Sequence, residues 1–121
     1  MSKRIVVIDD SESIRELVGL TLENAGYTVE KGIDGVDGLR FFDGRDINLV
    51  ITDLNMPQMD GIGVIKEVRQ KDGYSTIPIL VLTTESQAAK KEEAKAAGAT
   101  GWIVKPFVAD KLISIVQKVI R

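Results

Sequence analysis

Four short apolar runs rich in β-branched residues, each ending in a polar residue, constrain this chain more than any other feature. Arg4 to Ile8 ends in Asp9-Asp10, and Ile47 to Thr52 ends in Asp53. Ile79 to Leu82 ends in Thr83-Thr84, and Trp102 to Val104 ends in Lys105-Pro106. Continuous apolarity, as opposed to alternation, marks strands buried on both faces, the environment of a parallel sheet covered by helices on each side. Longer stretches with helical spacing separate the runs. Ile14, Leu17, Val18, Thr21, Leu22 and Ala25 recur at that spacing. Ser13 and Glu16 have the separation of a capping box, and Gly26 sits where a C-terminal glycine belongs. A weaker strand runs from Tyr27 to Lys31, and a helix interrupted by Gly35 and Gly38 from Asp34 to Phe42. Beyond Pro57 and Gly61, the stripe Ile62, Val64, Ile65 and Val68 predicts a third helix. Gln87 to Ala97, closed by Gly98, predicts a fourth, and Val108 to Ile120 a fifth.

Five βα units in this order predict an open, doubly wound parallel α/β sheet, and right-handed crossovers leave few topologies for it. No linker, repeat or low-complexity segment interrupts the pattern. The 121 residues suit one core, so one domain over residues 1–121 is expected.

Composition restricts the chemistry. Lys plus Arg number 16 and Asp plus Glu 18, a net charge of -2, which argues against a nucleic-acid binder held by a basic surface. Cysteine and histidine are both absent. Disulfides, thiolate zinc sites, imidazole general catalysis and a phosphohistidine role are thereby excluded. No apolar run is long enough to span a bilayer, and the N-terminus does not read as a signal peptide, so a cytoplasmic location is expected.

Open α/β sheets bind ligands beyond the carboxyl ends of their strands. There the chain places Asp9, Asp10, Asp53, Thr83 and Lys105. Each of them alone has a bland reading: Asp9-Asp10 as a helix cap, Asp53 as a turn former, Lys105 as a solvated lysine, Thr83 as a β-branched strand residue. Their convergence on one edge favours a site. Three adjacent carboxylates repel one another unless a cation joins them. With no imidazole or thiol to hand, that cation is a hard, oxygen-liganded ion such as Mg²⁺. Three carboxylates and one lysine leave two negative charges, which a divalent cation cancels. Phosphorylating Asp53 then adds about one negative charge, so a phosphoryl group is tolerable there.

The stretches Val7-Ile8-Asp9-Asp10-Ser11, Ile51-Thr52-Asp53-Leu54-Asn55-Met56-Pro57-Gln58-Met59-Asp60-Gly61, Leu82-Thr83-Thr84-Glu85 and Trp102-Ile103-Val104-Lys105-Pro106-Phe107 together resemble the response-regulator receiver domains of two-component signalling, in their stand-alone CheY-like form. The resemblance covers the whole chain. It implies the flavodoxin-like strand order 2-1-3-4-5 with five helices. Asp53 then matches the phosphoacceptor. Asp9, Asp10 and Asp53, with the backbone carbonyl of Asn55, match the Mg²⁺ ligands. Thr83 and Lys105 match the hydroxyl and amine that sense the phosphoryl group. Asn55 and Glu85 match the two positions that tune attack by water, and Lys105-Pro106 is expected to be cis. Trp102 stands where the family carries its switch aromatic, usually Tyr or Phe, which turns inward when the threonine moves. Indole is larger, and its only polar atom is a donor.

The resemblance also implies a histidine kinase as phosphodonor and an output through the fourth helix, fifth strand and fifth helix. A flagellar motor switch protein is the expected partner of a monomeric chemotaxis regulator, with no nucleic acid or membrane bound and no turnover of an external substrate. A phosphoryl shuttle or phosphate sink without its own effector needs the same pocket. An aspartyl-phosphate hydrolase would carry a second acid two residues after its nucleophile, where this chain has Asn55. An FMN-binding loop is disfavoured because Asp9-Asp10-Ser11-Glu12 would repel the phosphate. The fourth helix has only Ala as its apolar residues, so it offers little area to anchor it and is a plausible moving part.

Overall fold

A computed structural model describes residues 2–84 and 88–120. Five parallel strands, β1 (Arg4–Ile8), β2 (Thr28–Gly32), β3 (Leu49–Asp53), β4 (Ile79–Thr83) and β5 (Gly101–Val104), form one sheet in the order β2-β1-β3-β4-β5. The helices are α1 (Glu12–Asn24), α2 (Gly35–Leu39), α3 (Gly61–Gln70), α4 (Ala88–Ala97) and α5 (Ala109–Val119). This is the flavodoxin-like order implied by the resemblance. None of the described helices is long and apolar enough to cross a membrane.

Successive strand residues point to opposite faces, and each face has its own core. Ile5, Val7, Leu49, Ile51, Leu80, Leu82 and Ile103 pack with Val18 and Leu22 of α1 and Leu112 and Val116 of α5. Val6, Ile8, Val50, Ile79 and Val81 pack with Ile62, Val64, Ile65 and Val68 of α3 and Ala94 of α4. This two-sided burial is the physical reason that β1, β3 and β4 read as unbroken apolar runs.

The first two helices depart from the sequence reading in their bounds and in the face they bury. The N-cap of α1 is Ser11, whose hydroxyl accepts from the Ile14 N–H at 3.4 Å, and Ser13 lies inside the helix. The earlier serine wins because its own N–H also donates to Asp9 Oδ1 at 2.9 Å, closing the turn out of β1. Leu17, expected on the buried stripe, is 50% exposed; Val18 and Leu22 carry the packing. The expected helix from Asp34 to Phe42 is only Gly35–Leu39 long, capped by the Asp34 carboxylate on the Asp37 N–H at 2.8 Å. Two glycines in five residues lower helix propensity, and Phe41 and Phe42 turn into the core beyond it. The expected helix ends at Gly26 and Gly98 are present, with φ of +100° and +116°. At each, the next N–H reaches back to a carbonyl in the last turn, Tyr27 to Leu22 and Ala99 to Ala94.

One close approach bears on the site. Gly61 begins α3 directly against the end of β3, its N–H donating to the Leu54 carbonyl at 2.9 Å. A Cβ there would overlap the Asp53 carbonyl oxygen and come within 2.9 Å of Leu54 Cα. Both obstacles are backbone. Gly61→Ala is therefore expected to destabilise the fold by roughly 1–3 kcal/mol, read as a lower urea midpoint at unchanged slope. A midpoint equal to that of the unsubstituted chain would show that the β3–α3 junction yields freely.

Candidate functional site

The carboxyl edge of the sheet brings together the residues singled out from the sequence. β1 delivers Asp9 and Asp10, β3 ends in Asp53, β4 ends in Thr83, and Lys105 follows β5. Asp9, Thr83 and Asp53 are buried, whereas Asp10 is exposed. One oxygen from each of Asp9, Asp10 and Asp53 lies within 4.8 Å of the others. The Lys105 ammonium donates to Asp53 Oδ1 at 3.0 Å and stands 3.7 Å from Asp9 Oδ2. The Lys105–Pro106 bond is cis, as expected.

Asp9 is the most constrained member. Its Oδ1 accepts from the Ser11 N–H, and its backbone carbonyl accepts from the Arg15 guanidinium at 2.8 Å. Its Oδ2 is buried and accepts no hydrogen bond among the described residues. Leaving such an oxygen unsatisfied costs about 1–3 kcal/mol. Burial, followed by the charges of Asp53 and Asp10, pushes the Asp9 carboxyl above the usual carboxylate range, against the lowering pull of the Ser11 N–H and Lys105.

A bare buried carboxylate oxygen, two further carboxylates within reach and an all-oxygen donor set fit a divalent cation such as Mg²⁺. Asp9, Asp10 and Asp53 would hold it. Asn55, whose backbone carbonyl completes the implied ligand set, is exposed in the loop just after β3.

The Thr83 hydroxyl donates to the Thr84 carbonyl at 3.1 Å. Trp102 lies opposite Val81 on β5, on the sheet face that Thr83 shares, and is 39% exposed. Among the described residues, α4 fully buries only Ala94, which agrees with the weak anchoring read from its alanines. Glu85 and Gln87 lie outside the described residues. Sequence reasoning missed Arg15 and the Ser11 N–H. An arginine in a helix's first turns carries no signature, and a backbone donor carries none at all.

The chain matches the family described as "Response regulator receiver domain" over residues 5–117. It is 44% identical to the chemotaxis protein CheY4 of Vibrio cholerae, whose structure superposes with a TM-score of 0.93 over 98% of this chain and 99% of that one. It is 33% identical to the DNA-binding dual master transcriptional regulator RpaA of Synechocystis, over 98% of this chain and 49% of that protein. It is 38% identical to a "Probable transcriptional regulator ycf27" of Porphyridium aerugineum, over 98% of this chain and 48% of that one. The chain thus spans about half the length of these curated relatives.

Because burial raises the Asp9 pKa, protonated Asp9 favours the fold. That contribution is complete below the unfolded carboxylate range and is lost as pH rises through the elevated folded value. In chelator at neutral pH, Asp9→Asn should therefore melt higher than the unsubstituted chain, with the gap narrowing as pH falls towards 4. Adding Mg²⁺ should raise the unsubstituted melting temperature by selective binding to the folded state and do little for the variant. A variant that melts lower in chelator at neutral pH would refute the repulsion account.

Proposed function

The chain belongs to the response regulator receiver domain family, and on that premise we propose that it is a switch driven by phosphorylation of Asp53. One observation carries the assignment. Asp53 is the carboxylate bonded directly to the Lys105 ammonium, and its side chain keeps 13% of its surface open to solvent, where Asp9 keeps none. A phosphodonor can therefore reach Asp53 but not Asp9.

In this reading a histidine kinase presents a phosphohistidine, and an Asp53 oxygen attacks the phosphorus in line. The phosphorus–nitrogen bond breaks, and its electron pair stays with the departing imidazole, giving an acyl phosphate. Asp9, Asp10 and Asp53 would hold a divalent cation, which would supply neutralising charge to the transferred group. Lys105, already 3.0 Å from Asp53 Oδ1, pairs with the new phosphoryl oxygens. The Thr83 hydroxyl exchanges the Thr84 carbonyl for the phosphoryl group, and Trp102 turns into the space it leaves. Hydrolysis reverses the modification, with Asn55 and Glu85 tuning the approach of water. Both are polar and neither is bulky, so the phosphoryl state is short-lived. The chain turns over no external substrate.

The output we propose is chemotaxis-type control from the cytoplasm, by a monomer that binds a flagellar motor switch protein through α4, β5 and α5. The end-to-end similarity to CheY4 supports it. The curated relatives favour a second reading, in which this receiver governs a transcriptional output. A phosphoryl shuttle or sink is the reading left if no effector responds.

Acetyl phosphate with Mg²⁺ should add one phosphoryl group in intact-mass spectra, lost in Asp53→Asn and when a chelator is added first. An equal adduct on Asp53→Asn would move the chemistry elsewhere. Beryllofluoride, which mimics the phosphoryl group, should raise affinity for a motor switch protein about tenfold or more, within the range of allosteric coupling. Unchanged affinity would favour the transcriptional or sink reading.

A further inference from the structure

The only tryptophan of the chain lies on the edge strand of the sheet, with 39% of its surface exposed. The Lys91 ammonium of α4 lies over the Trp102 ring, 5.6 Å from its centroid. That is within the range at which a cation is drawn to the negative face of an indole, the strongest aromatic partner for such a contact. Among the described residues, Lys91 makes no ion pair that would compete for its charge. It is half-buried, whereas Glu92, Glu93 and Lys95 on the same helix are exposed.

We propose that Lys91 is a positioning residue that holds the Trp102 ring outward, so that the charge of one α4 lysine sets the resting balance of the switch. The consequence for signalling rests on the reading of Trp102 as the switch aromatic. The register shows why position matters: Trp102 pairs with Val81, two residues before Thr83 on the same sheet face. A ring that turns inward moves towards the space beneath Thr83 and leaves the ammonium behind. The link runs both ways. Among the described residues α4 fully buries only Ala94, so a shift of this lightly anchored helix carries Lys91 off the ring, and an inward ring removes a contact between β5 and the helix.

Removing the charge should shift the outward-to-inward ratio about two- to five-fold, the range that exposed cation–π pairs supply. The test uses the full chain, its single tryptophan as reporter, and the variants Lys91→Gln and Lys91→Arg. In chelator, Lys91→Gln should show emission shifted to the blue and weaker acrylamide quenching. Lys91→Arg, which keeps a stacking cation, should restore both. With Mg²⁺, Lys91→Gln should bind beryllofluoride about two- to five-fold more tightly, because less is spent displacing the ring. Emission and quenching in Lys91→Gln identical to the unsubstituted chain would overturn the proposal, as would failure of Lys91→Arg to restore them. A shifted emission with unchanged beryllofluoride affinity would support Lys91 as the holder of the ring and reject Trp102 as the switch.

Discussion

One lysine facing two buried carboxylates is the interaction around which the rest of this structure is arranged. Lys105 reaches from the end of β5 to Asp53 at the end of β3 and stands 3.7 Å from Asp9 at the end of β1. Three strands must therefore end at one level, and the parallel register that buries Ile8, Ile51 and Leu82 achieves this. A single ammonium cannot balance three carboxylates. The remaining negative charge, together with the bare Asp9 Oδ2, fits the pocket to a divalent cation. In the proposed function a divalent cation would offset that charge and let the edge take a dianionic phosphoryl group.

What lies behind the edge follows from the same frame. Thr83 ends β4 beside the pocket, and Trp102 sits on the same face two register pairs further back. In the proposed switch, a pull on the threonine hydroxyl would reach the edge strand without crossing the core. The helix above that strand contributes little burial, so it can respond at small cost. The opposite face of the sheet is packed by Leu22, Leu112 and Val116.

Much of this was legible in the sequence because the signals are backbone-level. Unbroken apolar runs identify two-sided strands, and the polar residue that ends each run marks the edge where a ligand can sit. Asp9, Asp53, Thr83 and Lys105 were found by that logic, and they converge. The less legible features depend on side-chain competition. Ser13 has the capping-box spacing, yet Ser11 caps α1, because its N–H also meets the Asp9 carboxylate. Leu17 fits the helical stripe, yet Val18 and Leu22, with Ile14 beside them, fill the space against the sheet. Arg15 on the Asp9 carbonyl and Lys91 on Trp102 join consecutive elements through side-chain geometry that no residue pattern announces.

The central claim is that Asp9, Asp10 and Asp53 accept an anion only after a cation has balanced them. Fluorine NMR of beryllofluoride added to the chain, with and without Mg²⁺, tests it directly. A bound resonance that appears only with Mg²⁺, and disappears in Asp53→Asn and in Asp10→Ala, is the outcome this account requires. A bound resonance of equal intensity in the presence of chelator would contradict it, because the anion would then be held without the cation.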